Sequence, residues 1–572
     1  MKQLLLKQLL QIITFLLISI FGYGQNFNLK ISGTNKIENA IIDSLNYTKK
    51  HLNTKSVIDE SISSIEKLYK KGYLDVKTVE NQNENDSTYT YKLSLGSKIK
   101  YTYIYIGRNN SFFDSYKTKN DTVIIPYKET ENFMNQIIID AERQGFALSK
   151  LKLENIQTKN SIIYADLNFN SEKKRNVNSI IINYTNNNRK DYFPKGHLKQ
   201  LHKTYISKTF NQKIIKELYK DINNFGFINQ TKYPEILFTN DSTKIYVYIE
   251  KRKANTFDGY IGFSNDENKK LNLNGYIDVT LQNTLKAGEQ FSLYWKSDGN
   301  QQKTFNTKLE IPYIFKSPLG IKAQLNIFKQ DSTFQNTKTA IDLGYYIKYN
   351  SKLYLGYQST ESSDIQNTNN TTISDFKNTF ITSTFDYTKT DAVNYLFPKK
   401  ANTSLVFGFG KRNTNNQPET ATSSNQFYTN LNFSYNFELN EKNFININLQ
   451  NFYLKSDNYI VNELFRFGGI NSIRGFLENS LQGNFFSSIL TEYRYIVSKN
   501  LYINSILDYG IYQDLTRSIN KNKIDKLTGI GAGTTIQTTN GPLRINLTNS
   551  VLSGQNLKLY NTIINICYNV KF

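Results

Sequence analysis

Cysteine and histidine are scarce in this chain of 572 residues, which contains one cysteine and three histidines. A single cysteine, Cys567, excludes an internal disulfide framework and a metal site built from several cysteines. The histidines His51, His197 and His202 are too few to supply much metal chemistry. The polar, helix-like segment around the last two predicts solvated surface rather than a zinc pair. We therefore expect no metal site and no cofactor.

Long hydrophobic runs are missing after the first residues, and the mean hydropathy is −0.52. No later window approaches the roughly 20 apolar residues that cross a bilayer as a helix. The apolar stretch 9–21 is shorter than that and follows lysines, so it predicts a cleavable signal peptide at 1–24, with Gln25 as the first mature residue. A retained membrane anchor is the alternative. Low mean hydropathy does not exclude a transmembrane barrel, because barrel strands show only alternate residues to lipid.

The charge balance is strongly positive, at +22. The lysines are spread along the chain among many Asn, Ile and Tyr residues instead of forming one patch, so the charge does not indicate nucleic-acid binding. General compositional bias is the simpler explanation, and attraction to anionic lipid head groups is a secondary consequence.

A local pattern of helix, Gly-aromatic and strand occurs three times before residue 256, at Gly72, Gly145 and Gly226. Each glycine can take the left-handed conformation that closes a helix. The spacing of roughly 75 residues is the length of a small α/β module, and it predicts three of them. One larger α+β domain is the alternative. The predicted module bounds are 25–98, 99–175 and 176–255, with opening strands at 27–32, 101–107 and 177–185 and closing strands at 89–95, 162–168 and 244–250.

The first module contains a helix predicted over 56–71. Its periodicity places four apolar residues on one stripe, as packing on a sheet requires. These residues are Ile58, Ile62, Ile65 and Leu68.

Helical periodicity disappears from residue 256 onward, and strand candidates of about ten residues alternate with polar turns. We count about sixteen, so the fold class is a set of α+β repeats followed by an all-β antiparallel transmembrane barrel over 256–572. A soluble sandwich could show the same alternation, but the strand number, the many aromatic residues and the export signal favour a barrel. The last strand illustrates the pattern, with one apolar face formed by Thr562, Ile564, Ile566, Tyr568, Val570 and Phe572.

One long loop, 463–476, interrupts the alternation between two well-formed strands, and Gly468 and Gly469 supply its tight turns. Strand parity in the following strands turns Glu492 and Asp508 towards the lumen. Both carboxylates could therefore receive Arg474 in a charge-assisted bond if the loop folds back into the barrel. An arginine in a solvated loop is the alternative that this argument leaves open.

At these residues the sequence resembles the POTRA-plus-barrel proteins, a superfamily that includes the BamA/TamA assembly factors and the two-partner secretion translocators, often labelled bacterial surface antigen. Several matching features occur in the family's order. They are the loop Gly468-Gly469 to Ile473-Arg474-Gly475-Phe476, the strand around Glu492, Asp508-Tyr509-Gly510, two final hairpins at 529–533 and 541–544, and the terminal Phe572, which resembles an outer-membrane targeting signal. The three upstream modules resemble the three POTRA domains of the TamA-like branch.

The resemblance implies that Arg474, with Gly475 and Phe476, locks the loop inside the barrel against Asp508 and Glu492. It also implies an outer-membrane protein with periplasmic amino-terminal domains that inserts or translocates other proteins. Its partners would be unfolded outer-membrane or secreted clients, outer-membrane lipids and an accessory protein of the periplasm or inner membrane. The expected insertion site is the seam between the first strand, near Phe257, and the last, over 560–572.

Three alternatives to an insertion factor stay open from the sequence. One is a dedicated two-partner-type secretion pore, and the others are a passive porin and a lipid-transport barrel. An enzyme is not expected, because the sequence contains no Ser-His-Asp or Gly-x-Ser-x-Gly arrangement that would supply catalytic residues.

Overall fold

A computed structural model describes the chain from residue 27 to 571, except for 108–110, 114–120, 186–191, 266–270, 299–301, 367–372, 392–393, 395, 415–421, 520–521, 540, 553–555 and 569. The predicted signal peptide and Phe572 lie outside the described residues. Among those described, no helix combines the length and the apolar character needed to cross a membrane. The chain divides into two compact units, residues 1–175 with 209–212, and residues 176–208 with 213–572.

The first unit contains two small α/β modules, each built on a four-stranded mixed sheet. In the first module the strand order is β2-β1-β4-β3, and in the second it is β6-β5-β8-β7. The elements of the first are β1 (Phe27–Gly33), α1 (Lys36–Asp43), β2 (Lys50–His51), α2 (Thr54–Lys70), β3 (Lys77–Asn85) and β4 (Thr88–Ser94). Those of the second are β5 (Tyr101–Tyr105), β6 (Thr122–Pro126), α3 (Thr130–Arg143), β7 (Lys150–Lys159) and β8 (Ile162–Asn170), with short 3-10 turns at Ser111–Phe113 and Tyr127–Glu129.

The apolar stripe predicted for helix α2 is wrong at two positions. Ile58 and Ile62 are 43% and 51% exposed. The helix is rotated so that it buries the neighbouring positions Val57, Ser61, Ser64 and Leu68 instead. Each of the two serine hydroxyls donates a hydrogen bond to a backbone carbonyl one turn earlier in the helix. These small side chains can therefore be buried and bring the helix close to the sheet.

Two of the three repeated glycines end a helix in the predicted way. Gly72 and Gly145 have φ values of 101° and 100°. The amide of Tyr73, which follows Gly72, donates to the Leu68 carbonyl over 3.1 Å, the bond that defines a Schellman cap. The prediction is wrong for Gly226, which is not among the residues with positive φ and lies three residues beyond the last helical residue, Asn223.

The second unit begins with a third module on a sheet of four strands. Strand β12 lies at its centre, parallel to β9 and antiparallel to β10 and β11. The elements are β9 (Ser179–Tyr184), α4 (Lys195–Tyr205), α5 (Gln212–Asn223), β10 (Ile228–Gln230), β11 (Glu235–Phe238) and β12 (Thr243–Lys251).

Apart from one short hairpin, the remaining strands close into an antiparallel barrel, which confirms the predicted sixteen strands when the two described pieces of the last strand are taken together. Within the barrel strand Leu501–Gln513, outward Leu507 is 59% exposed whereas inward Asp508 is fully buried, as the alternation of apolar and polar faces requires. The barrel strands are β13 (Thr256–Asn265), β14 (Leu271–Gln282), β15 (Gln290–Asp298), β16 (Gln302–Ile311), β17 (Leu319–Gln330), β18 (Phe334–Lys348), β19 (Ser351–Asp364), β20 (Phe376–Thr390), β21 (Lys399–Thr414), β22 (Thr422–Glu438), β23 (Asn443–Lys455), β26 (Phe485–Ser498), β27 (Leu501–Gln513), β28 (Ile524–Thr538), β29 (Gly541–Leu552), β30 (Ile563–Tyr568) and β31 (Val570–Lys571).

A two-stranded hairpin stands apart from the barrel wall, in the long connection between β23 and β26. It consists of β24 (Phe465–Phe467) and β25 (Leu481–Gly483). Short 3-10 turns lie at Ile314–Lys316, Val461–Glu463 and Leu559–Asn561.

The third module packs on the barrel through a buried histidine, which corrects the expectation that His197 is solvated. Its ring is fully buried, and neither ring nitrogen has a hydrogen-bond partner among the described residues. The turns after β16 and β18 bring Tyr313 and Tyr349 to ring-centroid distances of 4.8 Å and 5.3 Å from it. Aromatic rings of the module surround the rest, from Phe193, Phe225 and Phe227.

Burial of His197, with a smaller contribution from the charge of Lys352, lowers the pKa of its imidazole from 6.5 to about 3. Below pH 6.5 the unfolded state therefore binds a proton at His197 that the folded state does not bind, so the free energy of unfolding falls as the pH drops.

Acidification from about pH 7.5 to about pH 5 should weaken the docking of α4 by about 2 kcal/mol. Hydrogen exchange of the α4 amides at the two pH values measures this change. His197→Phe should remove most of the pH dependence and His202→Gln should retain it; equal pH dependence in the wild type and His197→Phe would contradict this account.

Candidate functional site

The connection between β23 and β26, residues 456–484, folds back into the barrel and packs on the inner wall. Ile473 is fully buried at its centre, against a cluster contributed by the hairpin and by β26, β27 and β28. Phe476 packs on the edge of that cluster. Gly468 and Gly469, with φ values of 109° and 96°, make the turns that return the chain towards the wall. The buried members of the cluster are Phe467, Ile473, Phe486, Leu490, Tyr512 and Leu527.

Arg474 is the most heavily hydrogen-bonded residue of this loop. Its guanidinium donates to both carboxylate oxygens of Asp508, from Nε to Oδ2 over 2.7 Å and from Nη2 to Oδ1 over 2.5 Å. Its backbone amide donates to the same Oδ2 over 3.0 Å, and its Nη1 donates to Glu492. Both carboxylates are buried, with Asp508 fully so. This fork geometry is specific to arginine, because the ammonium group of lysine cannot bond both oxygens in one plane.

Glu492 joins this pair to a second arginine. Arg494 donates from Nε to Glu492 Oε2 over 2.7 Å, and from Nη1 to Asn436 on strand β22 over 2.8 Å. Charges therefore alternate along a buried row, Asp508, Arg474, Glu492 and Arg494. Because each member compensates its neighbour, removal of one leaves a buried charge without its partner.

Glycines let the loop backbone approach the wall at this point. Gly475 has a φ of 89°, and a Cβ there would lie 2.4 Å from the Asn549 carbonyl carbon. Its carbonyl accepts a hydrogen bond from the Ser550 hydroxyl over 2.7 Å. A Cβ on Gly529 would lie 2.3 Å from the Arg474 carbonyl oxygen, and one on Gly510 would lie 3.0 Å from Ile473. Side chains at these glycines would therefore push the loop away from the wall.

Further anchors of the loop were missed from the sequence. At its start, Glu463 forms an ion pair with Arg412 of β21, and both side chains are almost completely buried. Arg466 lies over the rings of Phe328 and Phe334 at 5.4 Å and 5.2 Å. Parity could place the strand residues Arg412, Phe328 and Phe334 inside the barrel, but it does not apply to Glu463, which lies in a 3-10 turn. It could not identify partners on strands that are distant in sequence.

Another missed anchor is Glu478, near the end of the loop. Its carboxylate forms an ion pair with Lys296 of β15 and accepts a hydrogen bond from the Tyr294 hydroxyl over 3.5 Å. The Lys296 and Glu478 side chains are 36% and 34% exposed, so this pair is more accessible than the one at Arg474. The backbone of Gly469 packs on Glu478, where a Cβ would lie 3.0 Å from the Glu478 Cα.

The seam of the barrel is short. Strand β13 pairs with β31 at two positions among the described residues, Thr256 with Lys571 and Phe257 with Val570. On its other side β13 pairs with β14 from Thr256 to Asn265. The first strand is therefore held mainly by one neighbour.

Comparison of the sequence with protein families gives a match over residues 283–563, to the Omp85 superfamily domain. The barrel belongs to the Omp85 superfamily. The POTRA-plus-barrel resemblance of the sequence is thereby confirmed, and the chain is an outer-membrane protein whose POTRA-like modules are periplasmic. A sequence search of curated proteins gave no match.

Solved structures share the fold of this protein at low sequence identity. CdiB from Escherichia coli is 13% identical and has a TM-score of 0.50, over 93% of this chain and 98% of that one. CdiB from Acinetobacter baumannii is 12% identical with a TM-score of 0.50, over 91% and 98% of the two chains. BamA from Haemophilus ducreyi lacking POTRA domains 1–3 is 14% identical with a TM-score of 0.46, over 82% and 98%. At these identities the first two matches show the fold alone.

The first prediction for this site concerns the buried arginine. Arg474→Ala should destabilise the barrel by about 3–5 kcal/mol, because Asp508 and Glu492 would keep buried charges without their partner. The temperature at which the folded barrel loses its faster electrophoretic mobility measures this effect, and the POTRA-like modules should stay folded. Lys523→Gln removes an ion pair of a 54% exposed lysine and should leave that temperature unchanged. A wild-type transition in Arg474→Ala would contradict a locking role.

The second prediction separates backbone strain from close contact. Gly475→Ala should displace the loop, since the new Cβ meets the backbone of Asn549 in addition to straining a positive φ. Gly107→Ala is the matched control, because Gly107 has a φ of 82° and nothing within 4 Å of the added Cβ. Protease sensitivity of the 456–484 loop in detergent should rise strongly in the first variant only. Equal sensitivity in both would show that Gly475 has no packing role.

Proposed function

We propose that this protein is an outer-membrane protein insertion factor, which receives unfolded clients in the periplasm and inserts them at the barrel seam. The observation that carries the proposal is the seam itself, where β13 and β31 share two described residue pairs. Strand edges inside a bilayer cannot leave their backbone groups unpaired. A client strand that pairs with an opened edge therefore gains hydrogen bonds that neither water nor lipid can supply there.

The lumen is a less suitable route for a client in this state of the barrel. The 456–484 loop occupies part of it and is bonded to the wall through Arg474, Glu463, Arg466 and Glu478. Passage through the lumen would require these contacts to break together, including two buried ion pairs. Opening the seam breaks far fewer contacts.

The POTRA-like modules would supply the first binding surface. Strand β3 lies at the edge of its sheet, and all its residues from Lys77 to Asn85 are exposed. Strand β7 (Lys150–Lys159) is the edge of the second sheet. An extended client can add to such edges by backbone hydrogen bonds, which require no fixed client sequence. Three such modules are the plan of the TamA-like branch, and the proposed activity needs no catalytic residue or cofactor.

The second candidate is a dedicated secretion pore, favoured by the similarity of the whole fold to CdiB. In that case the loop would leave the lumen and one exported protein would pass through it. The partners of the protein differ between the two functions. An insertion factor acts on many barrel precursors and on the surrounding lipid, whereas a secretion pore acts on one client.

The test locks the seam reversibly. In a Cys567→Ser background, Phe257→Cys and Val570→Cys place two cysteines at a paired position across the seam. Leu343→Cys and Leu355→Cys give a matched disulfide between β18 and β19, at a paired position on the other wall. Both variants are reconstituted in liposomes with an unfolded barrel client. Oxidation should abolish client insertion for the seam pair only, and a reductant should restore it.

Two results would contradict the proposal. Undiminished insertion by the oxidised seam variant would show that clients do not enter at the seam. Transport of a client into the liposome interior through the oxidised seam variant would favour the secretion pore.

A further inference from the structure

The loop joins the two sides of the seam from inside the barrel. At Arg474 and Gly475 it is bonded to β27 and β29, on the side of the last strand. At Glu478 it is bonded to β15, on the side of the first strand. Going around the wall from β29 to β15 across the seam, the strands between them are the last strand, β13 and β14. The short segment 474–478 therefore lies behind the seam as a strut.

This strut cannot stretch far. The four steps from the Cα of Arg474 to that of Glu478 span at most about 14 Å when fully extended, because each adds no more than about 3.5 Å. The Arg474 end is fixed by a buried bidentate ion pair and by the close backbone contact at Gly475. Outward movement of β15 must therefore break the bonds that Lys296 and Tyr294 make with Glu478.

The two ends of the strut differ in strength. The carboxylate partner of Arg474 is fully buried, whereas Lys296 and Glu478 are each about one-third exposed. Exposed ion pairs are weak and are screened by salt. Two hydrogen bonds from strand β15, those of Tyr294 and Lys296, end on Glu478. The Glu478 end is therefore the one that separates first.

The strands on that side are also bonded to each other. The Tyr276 hydroxyl of β14 donates to Asp258 of β13 over 2.8 Å, and β14 pairs with β15 from Asn274 to Gln282. Strands β13 to β15 can consequently move together as one flap, and the contact at Glu478 restrains this flap from inside the lumen.

We infer that Glu478, with Lys296 and Tyr294, forms a latch that holds the seam closed and whose release lets the β13–β15 flap open for a client strand. This inference deepens the proposed function and rests on it. It assigns positioning roles to these residues, since they act on the seam and need not contact the client.

Seam opening is measured as a distance, independently of insertion. Nitroxide labels at Leu309→Cys in β16 and Leu547→Cys in β29, in the Cys567→Ser background, lie on exposed positions on the two sides of the seam. Five strand spacings of about 4.8 Å separate them when the seam is closed, which suits pulsed electron paramagnetic resonance. The full chain is reconstituted in liposomes, and Glu478→Gln and Lys296→Gln each remove one charge of the latch.

Both variants should add a population with a longer label distance to the closed population of the parent. The exchanged pair Glu478→Lys with Lys296→Glu should restore the closed distance. Lys377→Gln, which removes an ion pair between the neighbouring strands β19 and β20, should match the parent. High salt should act like the single variants, because it screens the latch before it affects the buried pair at Arg474.

Unchanged distances in both single variants would overturn the latch, as would an equal opening in Lys377→Gln. Client insertion is assayed in the same liposomes. If the distances respond as expected but the wild-type protein inserts no client, the latch stands as a property of the barrel and the proposed function fails. If insertion succeeds with unchanged distances, the latch fails and the proposed function stands.

Discussion

The buried ion pair between Arg474 and Asp508 is the interaction on which the arrangement of the lumen depends. An arginine in a barrel interior is stable only when its charge is compensated and its donors are used, and this one bonds Asp508, Glu492 and the Thr491 carbonyl. The pair fixes the centre of a loop whose backbone needs glycine at the same place. The hairpin, the aromatic cluster around Ile473 and the contact at Glu478 belong to the same loop.

A second constraint is the bilayer, which demands that every backbone group of the wall be paired. The barrel meets this demand along most strands and meets it least at the seam, where two described residue pairs join β13 to β31. The loop is bonded on one side of the seam by the buried ion pair at Arg474 and on the other side by the more exposed ion pair at Glu478. The closed barrel is stable, and the energy needed to open it is confined to few contacts. That combination suits a protein that must open towards lipid without losing its fold.

The sequence predicted the architecture well because alternation of period two and helix-glycine-aromatic repeats are local signals. Strand parity placed Glu492 and Asp508 on one lumenal surface, and the locking role of Arg474 stays a prediction. The failures have physical causes as well. Periodicity could not separate the face holding Ile58 from the adjacent one holding Ser61 and Ser64, and the burial of His197 depends on turns more than a hundred residues away. The Glu478 contact was unpredictable because it joins a loop to a strand roughly 180 residues earlier.

The central claim is that this protein assembles other outer-membrane proteins, and it is tested most directly by depleting the protein in its own cells and quantifying the outer-membrane proteome. The account predicts that many β-barrel proteins decline together while periplasmic and inner-membrane proteins stay constant. Loss of a single exported protein, with the other barrels unaffected, would contradict it and identify a dedicated secretion pore.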